Sequence, residues 1–182
     1  MDNLTETKLT SEKIYSGCIL DFYRDTVRLP NGGTAPRELS RHVGAVCIVP
    51  LLDDGRVIVE RQFRYPVNEV ITEIPAGKRD SRDEAPEAAA RRELREETGL
   101  RLTAITHVLP PAACTVGIGD ERTVCVFGTA EGTFRPSADP MEEIESAWYT
   151  RAQVRALHET DLFGSWALAY SWMFANGCLP GA

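Results

Sequence analysis

Residues 73–100 read EIPAGKRDSRDEAPEAAARRELREETGL, and the second half of this stretch predicts a helix. Alanine, leucine, glutamate and arginine, all good helix formers, dominate residues 85–98. Pro86 fits the first turn, where its missing N–H is not needed, and Gly99 follows as a C-terminal stop signal. This helix is the reference point from which the rest of the chain can be interpreted.

Three glutamates crowd one face of the predicted helix. Glu93, Glu96 and Glu97 are neighbours there, because residues three and four apart lie together on a helix surface. Like charges at this spacing repel one another by roughly a few tenths of a kcal/mol per exposed pair, so some compensation is expected. One explanation is ion pairing with nearby arginines on a solvated face. The other is a hard divalent cation, Mg²⁺ or Mn²⁺, since these ions prefer carboxylate oxygens.

The composition is that of a globular protein with an acidic balance. The chain has 182 residues, 43% hydrophobic and 26% charged, which suits one sizeable domain with a small appendage. Its formal net charge of -7 argues against nucleic-acid binding, which depends on clustered lysine and arginine. A polyanionic substrate remains compatible if metal ions cover the acidic site.

The cysteines and the N-terminus favour a cytoplasmic protein. The five cysteines are odd in number and contain no CxxC pair, which favours free thiols over a disulfide framework or a zinc site. The N-terminal MDNLTETKLTSEK is polar and unlike a signal peptide, and no apolar run approaches the ~20 residues of a membrane span. The spacing of His42, His107 and His158 suggests no metal site.

Strand and turn signals divide the chain into a small N-terminal part and a main body. Residues 14–29 read as one or two strands, PNGG at 30–33 as a turn and TAPRELSRH as the return strand, which predicts an antiparallel unit over residues 1–40. Alone, this unit could hardly bury its apolar face, so we expect it to pack on the main body or on a second subunit.

The main body, residues 41–182, mixes strands with a few helices, which predicts an α+β fold. The last helix should be amphipathic and cover the core. The predicted elements are a hairpin from GAVCIVPL, DDG and RVIVERQF, a strand at ITEIPAG, strands at 101–109, 122–130 and EEIESAWYT, and helices at RAQVRALHE and GSWALAYSWMFANG.

The helical stretch resembles the Nudix box, whose pattern is G, five residues, E, seven residues and then R-E-U-x-E-E-x-G-U, with U aliphatic. Residues 92–100, RELREETGL, match every defined position of the second half, and Glu84 stands seven residues before them. Six residues instead of five separate Gly77 from Glu84, an insertion that a loop accommodates at low cost. Glu84 and Asp83 therefore remain alternatives for the upstream acidic position.

Further segments resemble the ADP-ribose pyrophosphatase branch of that family. Four of them occur in the expected order, LPNGG at 29–33, PRELSRHVGAV at 36–46, ERQFRYP at 60–66 and EIPAGK at 73–78. Pro110 or Pro111 follows the box at a suitable distance, as a proline does in ADP-ribose hydrolases. The surrounding LPPAACTVGIGDE departs from the usual Ser-Pro-Gly and acidic run, so the substrate stays open.

The resemblance implies a Nudix fold, a mixed β-sheet sandwiched between helices. It also implies Mg²⁺-dependent hydrolysis of ADP-ribose to AMP and ribose 5-phosphate, with Mn²⁺ as an alternative ion. One alternative is the same chemistry on another nucleoside diphosphate sugar, such as GDP-mannose or a UDP- or ADP-sugar. A further alternative is a non-catalytic Nudix-fold sensor, although sensors usually lose the box glutamates that this chain keeps.

The resemblance assigns the metal to the box. It implies that Glu93 and Glu97 are the main metal ligands and that Glu96 and the carbonyl of Ala76 are further ligands. Arg92 is expected to orient these glutamates by ion pairing, because ligands must be held in place for tight binding.

The resemblance places the general base in a loop after the box. In PMEEIES, Glu142 and Glu143 are the candidates, followed by Glu121 and Asp139. Glu121 is also a candidate substrate contact.

Other residues are expected to contact the substrate. Arg61 resembles the arginine that binds a substrate phosphate, and Glu73 is expected to contact a ribose or the base edge, or to pair with an arginine. Either Phe22 or Tyr23 could stack on the nucleobase. Because the family often forms homodimers by exchanging the N-terminal unit, Arg37 is expected to reach into the site of a second subunit.

Overall fold

A computed structural model describes residues 4–18 and 20–179. Ile19, in the predicted strand segment 14–29, and the ends of the predicted ranges 1–40 and 41–182 lie outside the described residues. The strands are β1 (Thr7–Ser16), β2 (Asp21–Arg28), β3 (Thr34–Arg41), β4 (Ala45–Leu51), β5 (Val57–Arg64), β6 (Glu69–Glu73), β7 (Ala76–Lys78), β8 (Arg101–Val108), β9 (Ala112–Ala113), β10 (Arg122–Glu131) and β11 (Ile144–Tyr149). The helices are α1 (Pro86–Thr98), α2 (Arg151–Thr160) and α3 (Ser165–Ala175).

The chain divides into two compact units, one formed by residues up to Gly44 with Ala112–Thr123 and the other by Ala45–Pro111 with the residues from Val124 onward. The smaller unit contains the predicted antiparallel sheet, in strand order β1-β2-β3. The PNGG turn joins β2 to β3, with the Leu29 N–H donating to the Gly33 carbonyl at 2.8 Å. The 112–123 segment attaches to the end of β3, where the Ser40 N–H donates to the Ile118 carbonyl at 2.8 Å.

The larger unit contains the central sheet, in strand order β11-β5-β4-β10-β8, with β6 beside β5 and β7 beside β4. The predicted hairpin of β4 and β5 pairs at its closed end, Leu51 opposite Val57. Beyond that point β5 pairs with β6 and β4 pairs with β7.

The single strand predicted for ITEIPAG is wrong, because the chain forms two short strands there. Pro75 separates β6 from β7 and has no N–H with which to continue a ladder. Its carbonyl instead accepts the Ile48 N–H at 2.7 Å. Before the break β6 pairs with β5, and after it β7 pairs with β4. This change of partner strand brings β7 into contact with α1.

Side chains of the central strands alternate between two cores, because successive residues of a strand point to opposite faces. On one face Val46, Ile48 and Ile58 pack with Leu94 of α1. On the other face the sheet packs against Val154 of α2 and against Tyr170 and Phe174 of α3. The sheet residues of this core include Cys47, Val49, Val57, Val59, Cys125 and Phe127. The predicted α+β arrangement of a sheet between helices is confirmed.

The last helix differs from its prediction. The helix is apolar around its circumference and not amphipathic, since Phe174 is fully buried whereas Leu168 and Trp172 are 49% and 58% exposed. No helix in the described part of the chain has the length and apolar character that crossing a bilayer requires.

Candidate active site

A cleft of about 560 Å³ lies beside α1 in the larger unit. Its sides come from β7, from the exposed face of α1 and from the segment that leads into β11. Charged and backbone groups dominate its lining, which consists of Ala76, Gly77, Lys78, Asp80, Arg92, Glu93, Glu96, Glu97, Ser137, Ala138, Asp139, Pro140 and Glu142. The three box glutamates therefore face one cleft.

Arg92 joins the loop before α1 to the helix itself. Its guanidinium lies 2.9 Å from Glu93, 3.0 Å from Glu96 and 3.1 Å from Glu84. Glu84 also accepts the N–H of Asp80 at 2.7 Å, which closes the loop. The Arg92 guanidinium holds the pKa of Glu84 below its usual range. Glu84, and not the adjacent aspartate, therefore occupies the acidic position opposite the box arginine.

Gly77 lets the backbone of β7 lie directly against the carboxylate of Glu93. A Cβ built on Gly77 would be 2.1 Å from Cδ of Glu93 and 2.2 Å from one of its oxygens. Any side chain at this position would have to displace that carboxylate. Close packing against a functional group therefore explains the glycine.

Glu97 is the most buried carboxylate of α1, at 6% exposure. It accepts the N–H of Ala76 at 3.1 Å, and no arginine or lysine among the described residues forms an ion pair with it. Burial, followed by repulsion from Glu60, Glu93 and Glu142, raises the pKa of Glu97 to about 10. Burial likewise raises the pKa of Glu93, although Arg92 opposes the change.

Glu60 on β5 is a second deeply buried carboxylate, at 4% exposure. It shares a strand face with Ile58, which packs in the α1 core, because alternate residues point the same way. Ser146 of the neighbouring β11 donates its hydroxyl to Glu60 at 2.9 Å. Burial raises the pKa of Glu60 to about 8, with the Ser146 hydrogen bond opposing and the charge of Glu73 adding to the rise.

The chemistry of these carboxylates fits a hard divalent cation. Buried carboxylates without a cationic partner are costly as anions, and a divalent ion would supply the missing positive charge. Within residues 4–18 and 20–179, no three His, Cys, Asp or Glu side chains already form a closed ligand set. Mg²⁺ does not need one, because it keeps several waters and usually takes one or two carboxylates together with substrate phosphates.

The two leading candidates for the general base line different pockets. Glu142 lines the cleft with Glu93 and Glu97, and its charge contributes to the raised pKa of both. Glu143 is exposed and lines a separate pocket of about 360 Å³. Asp139 lies in the cleft, where its carboxylate accepts the N–H of Met141 at 2.8 Å.

Two predicted substrate contacts on β5 and β6 lie outside the lining of this cleft. Arg61 is 45% exposed along its side chain, and its Nε lies 3.7 Å from the carboxylate of Asp161. Glu73 is paired with Arg64, whose Nε donates to it at 2.7 Å. The pairing with an arginine is one of the two alternatives that the sequence left open for Glu73.

The remaining two predicted contacts belong to the smaller unit. Arg37 on β3 pairs with Glu6, its Nε lying 2.9 Å from a carboxylate oxygen. Glu121 accepts a hydrogen bond from the hydroxyl of Thr123 at 3.4 Å. Their roles toward a substrate stay predictions.

Glu60 has no role predicted from the sequence, although among the neighbouring charges it contributes most to the raised pKa of Glu97. One signal was available. Glu60 directly follows the apolar residues 57–59 of a buried strand, where an acidic side chain requires a partner or a function. Its direction toward α1, however, depends on the pairing of β5 with both β6 and β11.

Comparison with known proteins identifies the family. The Nudix domain profile matches residues 41–167. The ADP-ribose pyrophosphatase of Mycobacterium tuberculosis (strain ATCC 25618 / H37Rv) is 35% identical over 165 residues, which cover 88% of this chain and 79% of that protein. The ADP-ribose pyrophosphatase of Bacillus subtilis (strain 168) is 43% identical over 108 residues, 59% of this chain. The aligned part spans 58% of the B. subtilis protein, little more than half of its length.

A solved structure described as an ADP compounds hydrolase matches with a TM-score of 0.77, over 96% of this chain and 97% of that one, at 21% identity. This match confirms the predicted fold of a mixed sheet between helices with a small antiparallel sheet. The profile match covers most of the chain and includes the whole box, from the glycine of β7 to the C-terminus of α1. The chain therefore belongs to the Nudix hydrolase family.

Proposed function

We propose that this protein is a Mg²⁺-dependent pyrophosphatase that hydrolyses ADP-ribose to AMP and ribose 5-phosphate. Nudix hydrolases generally require a divalent metal ion. The choice of ADP-ribose is supported by the two ADP-ribose pyrophosphatases at 35% and 43% identity. The observation that carries the catalytic proposal is the cleft in which Glu93 and Glu142 lie together with the buried Glu97, which has no cationic partner among the described residues.

Glu93 and Glu97 would hold the metal, with Glu96 and the carbonyl of Ala76 as further ligands. When bound, the ion would supply Lewis acidity toward the phosphates and would lower the pKa of a water molecule. Arg92 keeps Glu93 and Glu96 in fixed orientations through ion pairs of 2.9 and 3.0 Å. Such support typically changes metal affinity or activity by about 10-fold to 100-fold when it is removed.

Glu142 is our candidate for the general base, since it lines the same cleft as the proposed ligands and Glu143 does not. In the reaction a water oxygen bonds to one phosphorus of the pyrophosphate while the bond from that phosphorus to the bridging oxygen breaks. Glu142 accepts the proton that the water loses, and the leaving phosphate carries away the bridging oxygen. Attack on either phosphorus gives AMP and ribose 5-phosphate.

Arg61, Glu73, Arg37 and Glu121 remain our proposed substrate contacts. We also propose a homodimer in which the N-terminal unit takes part, because β1 is exposed along its whole length, including Leu9, Ile14 and Tyr15, and a small sheet needs a cover for its apolar face. A cytoplasmic location is supported by the five cysteines, all of which lie in the described part of the chain and outside any disulfide bond.

The test is a substrate panel of ADP-ribose, ADP-glucose, GDP-mannose, UDP-glucose and NADH, each incubated with Mg²⁺ and with EDTA. We expect ADP-ribose to give the highest kcat/KM and to yield AMP and ribose 5-phosphate in equal amounts. A higher kcat/KM for another sugar nucleotide would support pyrophosphate hydrolysis but show that ADP-ribose is not the preferred substrate. Equal rates in Mg²⁺ and EDTA, or binding of all compounds without products, would refute the proposed activity.

A further inference from the structure

A second, larger groove of about 930 Å³ lies next to the cleft along α1 and shares Arg92, Glu96 and Ala138 with it. It is bordered by α1, by the start of β8 and by the segment after β10. Five arginines and a single carboxylate, Glu96, contribute to its lining, and we call it the arginine groove. The arginines are Arg91, Arg92, Arg95, Arg101 and Arg135.

Three of these five arginines have no carboxylate partner in the part of the chain that the structure describes. Arg92 is occupied by the box glutamates and Arg101 pairs with Glu131. Among the described residues, Arg95 and Arg135 form no ion pair, and Arg91 donates to a backbone carbonyl, that of Leu102. In a chain of net charge -7, a groove with this local excess of cations is unusual.

The helix dipole explains only part of the cluster. Arg95 lies in the last turn of α1, where a cation interacts favourably with the carbonyl end of the helix. Arg101 and Arg135 come from two other segments and line the same groove. Convergence of cations from separate segments is the pattern expected of an anion site, because arginine forks match phosphate oxygens.

The segment that carries Arg135 is fixed against the end of α1. The Arg135 N–H donates to the Thr98 carbonyl at 2.9 Å, and the Ala138 N–H donates to the Glu96 carbonyl at 2.8 Å. The stem of Arg135 lies on Gly99, where a Cβ would come within 2.9 Å of it. Gly99 also has a φ of +77°, so both the turn and the packing require glycine. The groove is therefore held in place before any ligand arrives.

We propose that the arginine groove binds a small phosphate-bearing polyanion, at a site distinct from the carboxylate cleft. Without a metal ion the cleft repels such an anion, because its carboxylates outnumber its two cations, Lys78 and Arg92, even when Glu97 is protonated. The groove attracts the anion without a metal. Residues after Arg135 continue into the cleft lining at Asp139 and Glu142, so an anion that restrains this segment acts on the part of the chain that carries the proposed base.

The experiment measures binding of tripolyphosphate, AMP and inorganic phosphate by calorimetry to the full chain in EDTA. EDTA keeps metal from carrying anions into the cleft, and an ionic strength of about 50 mM limits screening. We expect tripolyphosphate to bind with one site and the Arg95→Gln/Arg135→Gln variant to bind it at least about tenfold more weakly, which corresponds to about 1.4 kcal/mol. The AMP and phosphate arms show whether a nucleotide or a bare phosphate chain is the preferred source of the anion.

The matched control is Arg28→Gln/Arg122→Gln, which removes the same charge from exposed arginines of the smaller unit. It should change the affinity less than about twofold, since only the net charge differs. Unchanged melting temperatures would show that both variants are folded. The proposal is overturned if wild-type protein binds none of the three anions, or if the two variants lose affinity equally. It is also overturned if the groove variant loses its hydrolytic activity in parallel, since the groove would then belong to the substrate cleft.

Discussion

Replacing Glu97 by glutamine should stabilise the metal-free protein and abolish most of its activity. The side chain is 6% exposed and its pKa is raised from 4.5 to about 10, so the folded protein binds the proton more tightly than the unfolded chain does. Stability is therefore greatest below pH 4.5 as far as this group is concerned, and it falls as the pH rises toward 10. Glutamine is neutral, and its carbonyl oxygen can still accept the Ala76 N–H.

The expected gain in the free energy of unfolding depends on how far the assay pH lies above 4.5, the pKa of the unfolded side chain. At about 1.4 kcal/mol per pH unit, the 2.5 units from pH 4.5 to pH 7 correspond to at most about 3.5 kcal/mol. Relaxation of the site and repulsion shared with Glu60 will reduce this value, so we expect Glu97→Gln to raise the free energy of unfolding by about 1–2 kcal/mol at pH 7. The same variant should lose at least about 100-fold in kcat/KM, because a missing ligand removes much of the metal-based stabilisation.

Urea unfolding in EDTA at pH 5 and pH 7 measures the change in the free energy of unfolding. Hydrolysis of ADP-ribose in Mg²⁺ measures the loss of kcat/KM. Wild-type protein should be stabilised by Mg²⁺, more strongly at pH 7 than at pH 5, and Glu97→Gln should respond much less. Glu159→Gln on α2, an exposed carboxylate, is the control and should change neither quantity. A variant less stable than wild type at pH 7 in EDTA would refute the reasoning about buried charge.

Three further predictions concern the same cleft. Glu142→Gln should lower kcat about 100-fold or more with little change in KM, whereas Glu143→Gln should stay within about threefold of wild type in steady-state assays. Gly77→Ala should weaken Mg²⁺ binding, measured by calorimetry, because the new methyl group would displace the carboxylate of Glu93. Arg92→Lys should lower metal affinity about 10-fold to 100-fold, since lysine cannot hold several carboxylates in one plane with a fixed fork.

Controls for these variants come from the same chain. Gly117→Ala adds a methyl group where nothing lies within 4 Å, so it should leave metal binding unchanged. Equal losses of kcat in Glu142→Gln and Glu143→Gln would contradict the choice of Glu142 as the general base. Normal Mg²⁺ affinity in Gly77→Ala would show that the carboxylate of Glu93 can move without consequence and is not a ligand.

The sequence was sufficient for α1 and its surroundings because the information there is local. Pro86 and Gly99 mark the ends of the helix, and helical spacing alone places Glu93 and Glu97 on one face. The pairing of β4 with β5, the N-terminal sheet and the fold class were predictable for the same reason, since each depends on turns and on alternation within a few residues. The break at Pro75 was missed because ITEIPAG reads as one short strand up to Gly77, although a proline is itself a signal for an interrupted strand.

What the sequence could not provide depends on contacts between distant segments. Glu142 and Glu143 are adjacent and chemically identical, and only the path of the chain into β11 places one in the cleft and the other in a different pocket. Glu60 becomes part of the site because β5 diverges from β4 and turns its even-numbered side chains toward α1. Residue type marks Glu60 as unusual in a buried strand, but it does not identify Glu97 as its neighbour, and nothing local separates Glu142 from Glu143.

The position of α1 is determined by packing and not by the charges it displays. Ala89, Ala90 and Leu94 are completely buried against the sheet, and a buried leucine alone contributes about 1.5–3 kcal/mol. This contribution is similar in size to the cost of burying Glu97, so the helix can hold an unfavourable carboxylate in place while no metal is bound. Removing that packing should therefore affect the site indirectly. Leu94→Ala should lower the free energy of unfolding by about 2–5 kcal/mol and weaken Mg²⁺ binding together with it, although the leucine touches neither metal nor substrate.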